Sequence, residues 1–256
     1  MNPHTSVFRI LHITDTHLHA QADARMRGVN TYDTFKTVIA AATSDGAPPH
    51  AILATGDLVQ DETRAGYERF REALEPCGVP VYCIPGNHDA PKLMTEVLSK
   101  DPFQFCGTVA RDNWQLILLD TRVRGDDGGA LDKGQLQDLE RELSEAAADN
   151  VLICMHHHPV PMGSRWLDGV ALHNPDEFME IVDEFDHVRG ILWGHVHQAS
   201  DRRRKGMRLM STPSTCSQFR PNSDDFAIDK RGPGYRWLNL RSNGTIETEV
   251  VWLDWS

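Results

Sequence analysis

The chain has 256 residues, 40% hydrophobic and 25% charged, enough for a sizeable core and too apolar for wholesale disorder. Its 26 Lys and Arg stand against 37 Asp and Glu, a formal charge of −11. That acidity argues against nucleic-acid polymers and anionic membranes as partners, since both call for a basic surface.

Short apolar runs alternate with amphipathic stretches, and several runs end in polar, chemically loaded turns. Val7 to Thr14 reads as a strand stopping at Asp15-Thr16-His17, and Tyr32, Phe35, Val38, Ile39 and Ala42 then fall at helical spacing. Ala51 to Ala54 is a short buried strand before Thr55-Gly56-Asp57; Tyr67, Phe70 and Leu74 mark the next helical face. Val79 to Ile84 is a third strand, ending in Pro85-Gly86-Asn87-His88-Asp89, and Pro91 to Lys100 a short helix. Trp114 to Asp120 is another apolar strand, and Leu136, Leu139, Leu143 and Ala147 trace a helix rich in Glu and Arg. Val151 to Met155 leads into His156-His157-His158-Pro159. Asp176 to Phe185 is helical, and Val188 to Trp193 runs into Gly194-His195-Val196-His197. Met207 to Ser211, Tyr235 to Leu240 and Thr245 to Leu253 then read as strands, with Ser242-Asn243-Gly244 as a hairpin turn. The expectation is a layered α/β fold in one domain over residues 1–256.

Five Cys (Cys77, Cys83, Cys106, Cys154, Cys216), odd in number and without a Cys-x-x-Cys pair, suit reduced thiols in a cytoplasmic protein. Met1 to Arg9 lacks a basic flank followed by an apolar run, so no signal peptide is expected. No stretch approaches the ~18 uninterrupted apolar residues of a transmembrane helix.

The chain has 13 His, and eight of them lie in or beside the loaded turns: 17, 19, 88, 156, 157, 158, 195 and 197. Ligands bind outside the carboxyl ends of strands in open α/β sheets, so five neighbouring strands would bring these turns together. Each motif alone is ordinary turn chemistry; five in succession, each after an apolar run, point to one site. Mixed oxygen and nitrogen donors suit Zn, Mn, Fe or Co, whereas Mg and Ca favour all-oxygen shells. Some seven ligands exceed one four-coordinate ion but suit two ions sharing a carboxylate. Asp57, alone at its strand end, is the candidate bridge. Asp15, His17 and one of His195/His197 would complete the first ion. Asn87, a His from 156–158 and the other of His195/His197 would complete the second.

These motifs resemble those of the calcineurin-like metallophosphoesterases. Softer segments carry a finer resemblance, to the bacterial class III cyclic-AMP phosphodiesterases of the CpdA (Icc) type: Ile13 to Leu18, Gly28-Val29-Asn30-Thr31, Ala54 to Leu58, Ser164-Arg165-Trp166-Leu167-Asp168 and Thr212 to Phe219. The resemblance runs from about Arg9 to Val251. It implies a four-layer αββα sandwich, two mixed sheets flanked by helices, around two divalent ions (Fe, Mn, Zn or Co). It implies Asp15, His17 and His197 on one ion, Asn87, His157 (or His156) and His195 on the other, and Asp57 between them. His88 is implied as a non-ligating catalytic group, an imidazolium over the phosphate, with Asn87 orienting the phosphate. His17, Asp57, Asn87, His88 and His197 would contact a small cyclic nucleotide, and a metal-activated hydroxide would open 3′,5′-cyclic AMP to 5′-AMP. The alternatives are glycerophosphodiesters or 2′,3′-cyclic nucleotides as substrates, or a metal-binding regulatory protein with a vestigial site. His19 reads as a plain loop residue, Cys216 as buried, Trp193 as core and Arg202-Arg203-Arg204-Lys205 as a solvated face beside a turn.

Overall fold

The computed structural model describes residues 6–44 and 46–255, so the reading of Met1 to Arg9 falls partly outside it. In chain order the elements are β1 (Val7–Ile13), β2 (Arg25–Met26), β3 (Val29–Asn30), α1 (Thr31–Ser44), β4 (Ala51–Thr55), α2 (Arg64–Leu74), a 3₁₀ turn (Glu75–Cys77), β5 (Val81–Ile84) and α3 (Pro91–Leu98). There follow β6 (Phe103–Phe105), β7 (Gly107–Arg111), β8 (Trp114–Leu118), α4 (Lys133–Ser144), β9 (Asn150–Met155), α5 (Arg165–Asp168) and α6 (Pro175–Val182). The chain ends in β10 (Val188–Trp193), β11 (Ser200–Arg204), β12 (Met207–Ser211), β13 (Gly234–Arg241) and β14 (Ile246–Trp252).

Among the described residues two six-stranded sheets form, ordered β14-β13-β1-β4-β5-β6 and β11-β12-β10-β9-β8-β7. Both are mixed. β1, β4, β5 and β6 run parallel, with β13 antiparallel to β1 and to β14. β12, β10, β9 and β8 run parallel, with antiparallel strands at each edge.

The side-chain alternation of the central strands explains why their sequences read as largely apolar runs. In β9, Leu152 and Cys154 enter the core between the sheets, while Val151, Ile153 and Met155 face the helices with Leu139, Phe178 and Val182. In β1, Phe8 and Ile10 face the inter-sheet core, and Leu11 and Ile13 pack with Phe35, Val38 and Phe70 of α1 and α2. Strands buried on both faces are apolar at most positions, and the buried exception in β1, His12, has ring nitrogens within hydrogen-bond reach of the Thr212 and Thr55 hydroxyls. The result is the expected helix–sheet–sheet–helix layering. The helices are fixed locally: Thr63 Oγ1 accepts from Gly66 N at the start of α2, and Asp132 and Gln135 form a reciprocal capping box on α4.

The sequence reading missed the β2–β3 hairpin, β6, β7, β11 and the four-residue α5. Arg202 to Arg204 belong to β11, an exposed edge strand that runs into the Lys205-Gly206 turn, so this segment is a solvated face beside a turn, as read. Charged side chains along such an edge discourage pairing with other chains. Trp193 and Cys216 are fully buried, as read. No helix among the described residues is long and apolar enough to cross a membrane.

Candidate metal centre

The loops leaving β1, β4, β5, β9 and β10 meet at one place, and hydrogen bonds between them fix their paths. Asp15 N donates to Gly56 O (3.0 Å), His17 N to Asp57 O (2.9 Å) and Leu18 N to Leu58 O (2.9 Å), joining the β1 and β4 loops. The Asp15 carboxylate accepts from His195 N (3.1 and 3.0 Å), tying in the β10 loop. The Asp57 carboxylate accepts from His88 N (3.0 Å), tying in the β5 loop. Buried Asp89 staples the β4 and β5 loops by accepting from Leu58 N, Val59 N, Gly86 N and the Tyr67 hydroxyl. Its carboxyl is pushed up to about 6, chiefly by burial and then by the nearby Asp57 charge.

This crowding strains the backbone. Asp15, His17, Asp57, His195 and His197 all have left-handed φ, between 44° and 65°. Non-glycine residues rarely adopt that region, and strain of this kind gathers at functional sites. A Cβ on Gly194 would lie 2.1 Å from Thr14 Oγ1 and 2.9 Å from Asp15 Oδ2, so only glycine lets the β10 loop approach β1.

The site residues expected from the sequence come together in two groups. Asp15, His17 and His197 form one: His17 Nε2 lies 3.1 Å from His197 Nε2, and His197 Nε2 lies 3.4 Å from Asp15 Oδ1. In the other, His156 Nε2 lies 3.2 Å from both Asn87 Oδ1 and His195 Nδ1. Asp57 faces both groups, with Oδ2 3.7 Å from His17 Nε2 and Oδ1 3.4 Å from His156 Nε2.

The outer partners of the imidazoles determine what the inner nitrogens can do. His17 Nδ1 lies 2.7 Å from Gln60 Oε1, His156 Nδ1 2.7 Å from Thr55 O and His197 Nδ1 2.6 Å from Ser217 O. Each acceptor takes an N–H, so in the neutral rings each Nε2 carries a lone pair inward. His17 and His197 thus aim two lone pairs at each other across 3.1 Å. Such a pair is repulsive unless a proton or a cation lies between, and the donor set fits a cation on chemical grounds.

The proton affinities point the same way. Burial pulls His17 down to about 3 and His195 well below the ordinary histidine value. Burial also lowers His156, but the Asp57 charge and hydrogen bond outweigh it and raise that ring to about 9. Burial alone would raise Asp57; His156 instead holds it well below the usual carboxylate range. His156 thereby supplies the positive charge that a bound cation would bring.

The histidine triplet divides by position. Leu152 and Cys154 face the inter-sheet side, and His156, two residues on, continues that phase to Asp57. His157 turns toward Thr121 Oγ1 (Nδ1, 2.8 Å), its Nε2 buried without a partner yet close enough to group with His156 and His195. His158 reaches Asp168 at 3.5 Å instead.

A cavity of about 390 Å³ opens on the centre, walled on one side by His17, Asp57, Asn87, His88, His195 and His197. His88 sits edge-on to His17, ring centroids 5.3 Å apart. His19 lies outside the lining. Sequence reading missed Gln60, which also lines the cavity and whose Nε2 lies 3.2 Å from His88 Nδ1. Its only sequence signal is its place three residues after Asp57.

The model of the calcineurin-like phosphoesterase family matches residues 8–199. The chain belongs to the calcineurin-like phosphoesterases, and within them to the CpdA group. It is 42% identical over 243 residues to the 3′,5′-cyclic adenosine monophosphate phosphodiesterase CpdA of Vibrio vulnificus (94% of this chain, 89% of that one). The protein of the same name from Escherichia coli K12 is 41% identical (94% and 88%). Among solved structures, a dimetal phosphatase from Danio rerio superposes with a TM-score of 0.67 at 16% identity, covering 96% of this chain and 99% of that one. That likeness shows the shared fold, and the two donor groups fit the two-metal centre the family implies.

Proposed function

We propose that this protein opens 3′,5′-cyclic AMP to 5′-AMP at a two-metal centre. The observation that carries the substrate is the likeness to the CpdA relatives over 94% of the chain, well beyond the metal motifs. In this reading Asp15, His17 and His197 hold one ion, Asn87, His156 and His195 the other, and Asp57 spans both. His156 is preferred to His157 because its Nε2 faces both Asp57 and Asn87. Fe, Mn, Zn and Co all suit these donors. Two such ions supply Lewis acidity toward a phosphodiester oxygen and acidify water for attack on phosphorus.

The residues of the chain do the rest. Asp57, Asn87, His17 and His197 fix where the phosphate lies, close to His88 on the cavity wall. Gln60 Oε1 accepts from His17, so its amide turns an N–H toward His88 Nδ1. The His88 proton then sits on Nε2, available to stabilise phosphoryl charge or to protonate the departing 3′ oxygen. Widely spread thiols, all five of them free, support a cytoplasmic setting.

The test is to supply metal-loaded protein with 3′,5′-cyclic AMP and follow 5′-AMP by chromatography. Release of 5′-AMP, lost in Asp57→Ala and Asn87→Ala along with bound metal, is expected. Cleavage of methyl p-nitrophenyl phosphate without cleavage of cyclic AMP would move the assignment to another diester. Inertness toward both, with metal bound, would favour a regulatory metal-binding protein.

A further inference from the structure

Beside the metal centre, the cavity is lined by an apolar and aromatic set, Met26, Trp166, Leu167, Val170 and Phe219, with Arg27 and Asp127 as charged neighbours. That set is built from parts of the chain that supply no metal donor. Phe219 stacks flat on His197, ring centroids 4.1 Å apart and planes at 11°, so this wall begins directly behind the centre. Trp166 meets Phe219 edge-on at 5.0 Å and Phe226 edge-on at 5.2 Å, while Phe219 and Phe226 meet at 5.5 Å and 71°. Three rings thus form a corner of mutually steep faces.

Backbone hydrogen bonds hold the corner together. Trp166 N donates to Asp224 O (3.2 Å) and Ser223 N to Ser164 Oγ (3.1 Å), joining α5 to the 220–228 loop. Arg220 N to Ala227 O (2.8 Å) and a Phe219–Ile228 bridge close that loop on itself. Phe226 is nonetheless 46% exposed, an aromatic ring outside the cavity lining itself but in contact with two rings, Trp166 and Phe219, that belong to it. The guanidinium of Arg27, on the β2–β3 turn, rests 4.4 Å from the Phe226 centroid and 5.3 Å from that of Phe219.

We propose that this corner is the nucleobase subsite: the base of the substrate lies against Phe219, Phe226 and Trp166, and Arg27 covers its outer face. The proposal rests on the cyclic-nucleotide reading above. An exposed ring already capped by a guanidinium is a surface that accepts planar, polarisable groups. A base held between Phe219 and Arg27 needs roughly 7 Å, two contact distances of about 3.5 Å. The present 5.3 Å is too short, so the Arg27 side chain lifts to admit the base and settles on it. The aromatic part of the wall offers faces, and stacking on them supplies affinity without distinguishing one purine from another, whereas Asp127 and Gln60 are the polar side chains within the same lining.

The experiment compares cyclic AMP, cyclic GMP and methyl p-nitrophenyl phosphate as substrates of the metal-loaded enzyme and its Phe226→Ala, Phe226→Trp and Arg27→Ala variants. Phe226→Ala is expected to raise KM for both cyclic nucleotides about tenfold, roughly 1.4 kcal/mol, with a much smaller change in kcat. The selectivity for cyclic AMP over the methyl diester should fall by a similar factor, and Phe226→Trp should restore it. Arg27→Ala should move the same ratio in the same direction, and adenosine should compete less well against both alanine variants. Selectivity and adenosine inhibition within twofold of wild type in Phe226→Ala and Arg27→Ala would overturn the subsite. Wild-type enzyme that cleaves the methyl diester but neither cyclic nucleotide would overturn the functional reading instead.

Discussion

Gln60 offers the sharpest test of how the centre is organised. Its Oε1 lies 2.7 Å from His17 Nδ1 and its Nε2 lies 3.2 Å from His88 Nδ1, so one amide sets the proton positions of two rings. Gln60→Met keeps the volume and removes both contacts. His17 Nδ1–H is then buried without its acceptor, and losing such an outer partner typically lowers metal affinity 10–100-fold, about 1.4–2.7 kcal/mol. Gln60→Glu separates the two roles. The carboxylate still accepts from His17 and should hold metal at least as well, but it cannot donate to His88. His88 then turns its Nδ1 proton to the carboxylate and keeps an Nε2 donor only when doubly protonated. Metal content by competition with a chromogenic chelator, and kcat against pH on cyclic AMP, read the two effects apart. Gln60→Met should lose metal. Gln60→Glu should keep metal but lose kcat on the alkaline side, where the wild type holds. Native metal affinity in Gln60→Met, or superimposable pH profiles for wild type and Gln60→Glu, would refute the reasoning.

Three further outcomes are expected. His156→Ala should strip metal from the centre, whereas His157→Ala should retain at least half of it by elemental analysis; the reverse order would transfer the ligand role to His157. Gly194→Ala should abolish metal binding and lower stability, because a Cβ there meets Thr14 Oγ1 at 2.1 Å; a metal-loaded, fully active Gly194→Ala enzyme would contradict the close-approach argument. The melting temperature of metal-free protein should fall between pH 7 and pH 4. His17 and His158 are pulled down to about 3 and about 4, in each case chiefly by burial. The unfolded chain therefore takes up more protons as pH drops below about 6.5. His156 acts oppositely, its contribution complete below about 6.5 and lost as pH rises through about 9. Metal at a hundredfold excess over its dissociation constant should add about 2.7 kcal/mol at pH 7; a melting temperature indifferent to acid and to metal would defeat both points.

Much of this was legible from the order of residues, and the failures have specific causes. Central strands announced themselves because both faces are largely buried, so β1, β4, β9 and β10 are mostly apolar runs ending at the loaded turns, broken by Arg9 and His12 in β1 and by Arg189 in β10. Edge strands escaped notice. In β7 and β11 most positions are exposed, so the apolar signal is missing, and the basic run of β11 shows only its solvated face beside a turn and not the strand. The triplet 156–158 stayed ambiguous because spacing to Pro159 cannot tell which strand face points toward Asp57; the alternation Leu152, Cys154, His156 supplies that information only once the sheets are assembled. Gln60, Arg27 and Phe226 were invisible for a related reason. Each acts through partners distant in sequence, and none carries the imidazole or carboxylate that drew attention to the others.

The energetics of the centre explain why one site combines strained backbone, buried rings and few charges. Five left-handed non-glycine residues cost on the order of 1–3 kcal/mol each. Buried imidazoles facing one another recover none of that in isolation. What they gain is preorganisation. With Nδ1 protons committed to Gln60 and Ser217 O, the Nε2 lone pairs of His17 and His197 already converge, and the carboxylates of Asp15 and Asp57 supply only two negative charges. Two divalent ions would reverse the local sign and leave the centre about two charges positive, inside a protein of net charge −11. A small anionic phosphodiester would then be drawn to a cavity wall whose charge is opposite to the net charge of the protein. A nucleic-acid polymer would meet the acidic exterior first. Selection for a small substrate thus begins with the contrast between centre and surface, and the aromatic wall behind His197 acts only on what has passed that barrier.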